Sequence, residues 1–410
     1  MRLVPIPEDK YDEYRLGAIF DCYKWDPQFK DNNTVAKYAL VLTKEEYDEL
    51  VFLTESMDKE TIAAEEYLNA NLDKAKPLGL ARRLKKDIES MSNYDKTKHV
   101  RLMRYDFHPT VDGKWAVSEV NSDVPGGFAE ASLLPELAKK IIGLDDTYSV
   151  KVFGDILANA IKNKTKENGT IMMVHCTCFS DDRQVMQYIG DKLANMGFKI
   201  IYGAADHIVF KDGVPYSILS GNECKLDGIV RFNPLEWVTR IKPKKWGGYF
   251  STETMSCNHP IALFAQTKRF PLVWDNLEKA GISMKYWREL LPDTKLIKDY
   301  KKLEDKSGYI YKPVYGRVGE KIGIKEACEE GEFNKILKEV KWHPKRYLAQ
   351  KQFVSKPLEG IDGKEYHVCV GSYTVDGKQA GFYARVSNVP RIDSNAADIP
   401  VLIEGSVDWC

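Results

Sequence analysis

The sequence predicts an α/β enzyme unit with a Rossmann-like subdomain, on three observations. Residues 147 to 235 alternate helical and strand patterns, residues 100 to 121 read as a β-hairpin, and the last third ends in several period-two segments. In chain order, Thr43 to about Ser92 is expected to be helical. Thr43 and Glu46 have the spacing of a capping box, and Leu50, Leu53 and Met57 recur at helical intervals. Residues 100 to 107 and 114 to 121 switch to period two, with Asp112-Gly113 as the turn signal. A helix to about Lys164, a strand Thr170 to Val174, a helix Asp182 to about Met196 and a strand Phe198 to Tyr202 follow. A short hairpin around Asp212-Gly213 and a strand Leu226 to Phe232 close this block. It carries no G-x-G-x-x-G glycines after its first strand, so a dinucleotide site is not expected. Ile261 to about Lys279 reads as helix, Tyr309 to Val314 as strand. Residues 346 to 354, 366 to 375 and 379 to 387 also alternate as strands, the last two joined at Asp376-Gly377.

Composition narrows the function classes. The 410 residues are 43% hydrophobic and 29% charged, which excludes disorder, collagen and a disulfide scaffold and gives each of two or three domains a real core. Sixty basic residues balance sixty acidic ones, so no global charge draws the chain to nucleic acid or an anionic membrane. Eight scattered cysteines suit a reducing compartment. The start MRLVPIPEDKYDEYR lacks a leader pattern, and no run of about 20 apolar residues occurs, so a cytoplasmic location is expected, with no membrane partner. His175-Cys176-Thr177-Cys178 contains zinc-ligand types without a second cluster to complete four-coordination, and the basic run Arg240 to Lys245 reads as a solvated loop.

Two clusters carry chemistry. If Asp112-Gly113 is a two-residue turn, Asp106 faces Glu119 and Arg104 faces Asn121, all on one sheet surface. Directly opposed carboxylates destabilise a sheet unless neutralised, and Mg2+ is an economical neutraliser: Asp106, Glu119 and the Asn121 amide oxygen offer hard oxygen ligands. Arg104 could then brace a phosphoryl group. A surface hairpin with solvated charges is the plainer reading of the same residues. The second cluster, Tyr311-Lys312-Pro313-Val314-Tyr315-Gly316-Arg317-Val318-Gly319, places a lysine at a strand end before a loop that can close over phosphates, or an ordinary turn. Lys268, on the predicted helix, and Arg385, on a predicted strand, are singly as well explained by snorkelling.

Together, RYDFHPTVDGKWAVSEVNSD (104 to 123) and GYIYKPVYGRVGEKIGI (308 to 324) resemble the synthetase domain of glutathionylspermidine synthase. Looser similarity at VRFNPLEW (230 to 237), QTKRFPLVW (266 to 274), YLAQKQFV (347 to 354) and GFYARVSNVP (381 to 390) follows the family's order. The resemblance implies an ATP-grasp-type ligase fold in the circularly permuted, glutathione-synthetase-like arrangement, because Glu119-Val-Asn121 precedes Lys312, with the Rossmann-like part as the pre-ATP-grasp subdomain. It implies three stretches: 1–146 with the N-terminal helices and metal hairpin, 147–260 as the substrate subdomain, and 261–410 as the nucleotide-binding part with a lid around 300–345. It further implies Mg2+ on Asp106, Glu119 and Asn121; Arg104 as transition-state stabiliser; Lys268, Lys312, Arg317, Gln350 and Gln352 around ATP; and Glu236 and Arg385 around substrate. The implied reaction converts a carboxylate to an acyl phosphate with ATP, and an amine then forms the amide. Expected partners are a small-molecule or peptide-like acid and a polyamine or amino-acid amine; oligomeric state is left open. The alternative is a nucleotide-binding member without ligase activity. Where glutathione-using members carry serines, this chain has Asp123-Val-Pro-Gly-Gly127, and neither Val124 nor Gly126 can donate a hydroxyl hydrogen bond to a glutathione carboxylate.

Overall fold

The computed structural model describes residues 1–89, 91, 94–145, 147–219, 221, 223–237, 246–300, 308–314, 321–328 and 330–405. Its largest sheet is antiparallel and runs Ala397–Ile399, Lys378–Ser387, Glu365–Val375, Leu102–Pro109, Trp115–Asn121, with Leu358–Glu359 beside the middle strand. The predicted hairpin therefore forms its sheet with strands more than 230 residues away in the chain. One face of this sheet is covered by the helix Lys44–Ala70, whose Leu50, Leu53, Met57, Ala64 and Leu68 are buried. Its start is the expected capping box: Thr43 Oγ1 accepts from Glu46 N at 3.2 Å, and Glu46 Oε2 accepts from Thr43 N at 2.9 Å.

The Rossmann-like block is a parallel sheet in the order Met255–Cys257, Gly228–Arg231, Thr170–Val174, Lys199–Gly203, flanked by helices Phe153–Lys164 and Ser180–Asn195. A third sheet, Thr294–Leu296, Tyr347–Lys351, Tyr309–Pro313, carries Lys312. A fourth joins Arg2–Pro5 and Tyr38–Leu42 to Val401–Glu404, so the two ends of the chain share one sheet. Among the described residues, no helix is long and apolar enough to cross a membrane.

Two expectations change. The hairpin turn is a three-residue loop rather than the two-residue Asp112-Gly113 turn: Thr110 N bonds Lys114 O at 2.9 Å, and Gly113 takes φ +77°. Glycine tolerates that left-handed backbone without a Cβ clash, which lets the longer loop close. The stretch Ile261 to Lys279 is not one helix. Short helical pieces at Leu263–Gln266 and Trp274–Lys279 are separated by extended Thr267, so Lys268 stands in a break, where its N–H bonds Val314 O at 3.3 Å. Pro271, two residues on from Arg269, lacks the N–H an uninterrupted helix would need there.

Candidate functional site

The hairpin pairs Arg104 with Asn121 and Asp106 with Glu119. Nearer the turn the register differs by one, with Phe107 opposite Val117, so Ser118 is an extra residue forming a β-bulge. The bulge offsets the extra loop residue, and the two carboxylates meet despite a turn unlike the one expected.

On this face Arg104 makes a fork to Asp106, Nε to Oδ1 at 2.7 Å and Nη2 to Oδ2 at 3.1 Å, and its Nη1 donates to Gly126 O at 2.9 Å. The guanidinium also lies 4.9 Å from the centroid of the Tyr383 ring. Gly371, paired with Asp106, makes room for it, since a Cβ there would lie 2.6 Å from Arg104 Cδ. Asn121 Nδ2 donates to Asp106 Oδ2 at 2.9 Å. Burial pushes the Asp106 carboxyl up, against the pull of Arg104.

Glu119 is held differently. Its Oε2 lies 2.8 Å from Lys268 Nζ. Burial works against this carboxylate, but Lys268, Lys312 and Arg104 outweigh it and hold it down at about 2. Lys312 is buried, its Nζ donates to Ser118 O at 2.9 Å, and burial lowers its ammonium to about 8 against the attraction of Glu119. The bulge thus has a second consequence: the carbonyl of its extra residue receives Lys312, and its hydroxyl lies 3.0 Å from His108 Nε2.

Glu119, Lys268 and Lys312 line a cavity whose other walls are mainly Val120, Phe270, Trp287, Leu291 and Leu348. Thr294 and Gln350 also line it. Gln350 is two residues along the strand from Leu348, the partner of Lys312, hence roughly 7 Å from the cationic end. An apolar slot with cations at one end and an amide further along suits a flat base joined to phosphates.

The remaining expected site residues fall as follows. Arg385 lies on the strand beside Cys369, donates from Nη2 to Ala396 O at 2.7 Å, and has its Nε 3.6 Å from Asp398 Oδ1. Glu236 is buried just after the strand Gly228–Arg231, next to Leu235, whose N–H bonds Asp123 Oδ2 at 2.9 Å. Gln352 is not among the cavity-lining residues; its Nε2 donates to Glu326 Oε2 at 3.1 Å. Arg317 lies outside the described residues, as do Arg240 to Lys245. Among the described residues, no group of three His, Cys, Asp or Glu is placed to hold a metal. Two carboxylates and one amide oxygen suit a cation that keeps water and phosphate ligands, as magnesium does, rather than a fully protein-ligated ion.

Sequence reasoning missed Ser118, Trp287, Thr294 and Asp123. A bulge leaves no residue-type signature, and Trp287 and Thr294 reach the cavity from separate elements. Asp123 could have been suspected, because an acid directly after Glu-x-Asn-Ser in an apolar context needs a partner; that partner is Arg231, whose Nη2 bonds Asp123 Oδ1 at 2.5 Å.

The antiparallel sheet, the Rossmann-like block and the cavity between the hairpin and the sheet that carries Lys312 define an α/β fold of the ATP-grasp ligase type. Residues 16–404 match the glutathionylspermidine synthase preATP-grasp family, and the chain belongs to that family. A solved glutathione synthetase-like effector from Globodera pallida, in its apo form, is 13% identical and superposes with a TM-score of 0.65, over 97% of this chain and 99% of that one. A putative γ-glutamylcysteine synthetase from Methylobacillus flagellatus, also 13% identical, gives a TM-score of 0.40 over 86% of each chain. No curated protein matches the sequence.

Proposed function

We propose that this chain is an ATP- and Mg2+-dependent carboxylate–amine ligase acting on a peptide-like acid and a polyamine or amino-acid amine. The observation that carries the reading is the cavity itself: an apolar slot ends at Lys268 and Lys312, which meet Glu119 on the same hairpin face as Arg104, Asp106 and Asn121. Lys268 and Lys312 bind the nucleotide phosphates. Asp106, Glu119 and the Asn121 amide oxygen would hold magnesium, which when bound offsets charge on the transferring phosphoryl group.

Arg104, anchored through Asp106 and Gly126, presents a fixed guanidinium to the oxygens of the transferring group, so no reorganisation is required as charge develops. The acid's carboxylate oxygen attacks the γ-phosphorus and ADP departs. The amine nitrogen then attacks the acyl carbon, phosphate leaves, and a proton is lost from nitrogen. Arg385 on the same sheet supplies a second cation for the acid or acyl phosphate, and buried Glu236 an acid for the amine. Lys312, with its ammonium at about 8, remains mainly cationic at neutral pH.

At positions 124 and 126 no hydroxyl is available to the acid, and Gly126 has little room for one, since a Cβ there would lie 3.2 Å from Phe232 Cζ. This supports an acid other than glutathione. The first test is thermal unfolding with ATP, Mg2+ or both, in the intact chain and in Asp106→Asn. A ligand at about 100 times its Kd adds roughly 2.7 kcal/mol, so stabilisation that needs both components and is lost in the variant is the expected result. ADP release is then screened across acid and amine pairs. Absence of any response to nucleotide in the intact chain would overturn the reading.

A further inference from the structure

Away from the cavity, one buried lysine is surrounded by acids. Lys24 lies on the strap between the helix Tyr11–Phe20 and the strand Tyr38–Leu42. Its Nζ is 2.7 Å from Asp398 Oδ2, 2.8 Å from Asp26 Oδ1 and 3.2 Å from Glu130 Oε1, so its three protons are shared among three carboxylates. Asp398 stands on the edge strand Ala397–Ile399 opposite Arg385, whose Nε is 3.6 Å from Asp398 Oδ1. Three carboxylates thus meet two cations. Glu130 carries the imbalance: Gln184 Nε2 donates to its Oε1 at 3.1 Å, while its Oε2 is buried without a hydrogen-bond partner, on a side chain only 6% exposed. Burial pushes the Glu130 carboxyl up, with Asp398 and Asp26 adding to it and Lys24 opposing. A buried acceptor left unsatisfied is costly and calls for a donor.

We infer that Glu130 and Asp398 form a binding site for a primary ammonium ligand, that Lys24 fills this site from within the chain, and that the strap is a plug which such a ligand displaces. Charge favours the exchange. The strap brings Lys24 and Asp26 together, so it adds no net charge to a pocket in which Glu130 and Asp398 outnumber Arg385 by one. A free alkylammonium ion balances that excess. The third proton, which Lys24 gives to Asp26, is then available to the unpartnered Oε2 of Glu130.

The strap is built to leave. From Asp21 to Thr34 only Cys22 and Lys24 are buried, so little apolar contact holds this segment down. Polar bonds fasten it instead, Trp25 N to Gln184 Oε1 and the Tyr23 hydroxyl to Asp191 Oδ2, both at 2.9 Å. The pocket also adjoins the face that bears Arg104: the Tyr383 hydroxyl donates to Asp398 Oδ1 at 2.6 Å, and the ring of Tyr383 lies beside the Arg104 guanidinium. No nucleotide enters the chemistry of this site, so failure of the test below leaves the ligase reading standing.

The test is amide hydrogen exchange of residues 22–33 in the full chain, titrated with n-butylammonium chloride, whose four carbons match the lysine stem. Tetramethylammonium chloride at equal concentration is the control, because it carries the charge without an N–H donor. Butylammonium should speed exchange of the strap at least about threefold and saturably, and tetramethylammonium should leave it unchanged. A tethered side chain competes at an effective concentration of about millimolar or more, so Lys24→Ala should bind butylammonium at least about tenfold more tightly than the intact chain in calorimetry. Asp26→Asn, which removes the excess charge and keeps Lys24, should hold the strap down and raise the butylammonium concentration needed by about tenfold. Should Lys24→Ala not fold, the intact chain and Asp26→Asn decide. Strap exchange that ignores butylammonium or responds equally to tetramethylammonium, a Lys24→Ala chain that binds no more tightly than the intact one, or an unchanged response in Asp26→Asn would each overturn the inference.

Discussion

Single side chains in this molecule matter chiefly through the charges buried around the cavity. Lys312 has Glu119 beside it and Ser118 O as its hydrogen-bond acceptor, and no apolar residue can replace its cation at the phosphate end. Lys312→Met should therefore abolish the stabilisation by ATP with Mg2+ in a melting experiment, while the chain still folds; a full ATP response in the variant would contradict the role. Away from the cavity, Glu65 gives a pH signature. Its Oε2 accepts from Arg101 Nε at 2.9 Å while Oε1 is buried without a partner, and burial, opposed by Arg101, raises its carboxyl to about 7. An unfolded glutamate titrates near about 4.3. Between those values the native chain holds a proton that the unfolded chain has released. The contribution is thus fully present below about pH 4.3 and is lost as pH rises through about 7. Glu65→Gln should flatten the fall in melting temperature between about pH 5 and pH 8, relative to the intact chain; superimposable slopes would refute the assignment.

Among the elements, the helix Lys44–Ala70 positions both sides of the cavity. Glu60 Oε2 accepts the N–H groups of Tyr286 and Trp287, at 3.1 and 3.2 Å, at the start of the helix Lys285–Leu290. Thr61 Oγ1 receives Trp287 Nε1 at 2.9 Å and lies 3.0 Å from the hydroxyl of Tyr105, the residue between Arg104 and Asp106. One threonine thus relates an indole of the cavity wall to the strand that bears the arginine fork. Thr61→Val should raise KM for ATP several-fold with little change in KM for the acid, and should cost about 1–3 kcal/mol in denaturant unfolding, because the Trp287 N–H loses its acceptor. Thr61→Ser should recover both; equal changes in the two KM values would argue for a general loosening instead. This helix was legible because its cap and apolar spacing are local. The break at Lys268 was not, since periodicity alone does not show that the backbone leaves the helix to bond Val314.

The whole molecule depends on how the hairpin meets the Rossmann-like block. Asp123, just after the Glu-x-Asn segment, pairs with Arg231 at the end of a parallel strand, both fully buried, and Asn258 bridges the same junction by accepting from Leu102 N at 2.6 Å and donating to Ser122 O at 2.8 Å. Asp123→Ala leaves the Arg231 cation unpaired in the interior and should lower stability by about 3–5 kcal/mol in chemical denaturation. A loss below about 1 kcal/mol would mean that the junction rests on apolar packing. The sequence by itself determined the α/β class, the hairpin with its opposed Asp106 and Glu119, and the strand that carries Lys312, because alternation and cap chemistry act between neighbours along the chain. Only the tertiary structure decided that Lys268 pairs with Glu119, that the Ser118 bulge receives Lys312, and that Gln350 donates to Thr294. Those contacts join residues 56 to 194 positions apart, and their geometry depends on how separate elements pack, which no local pattern records.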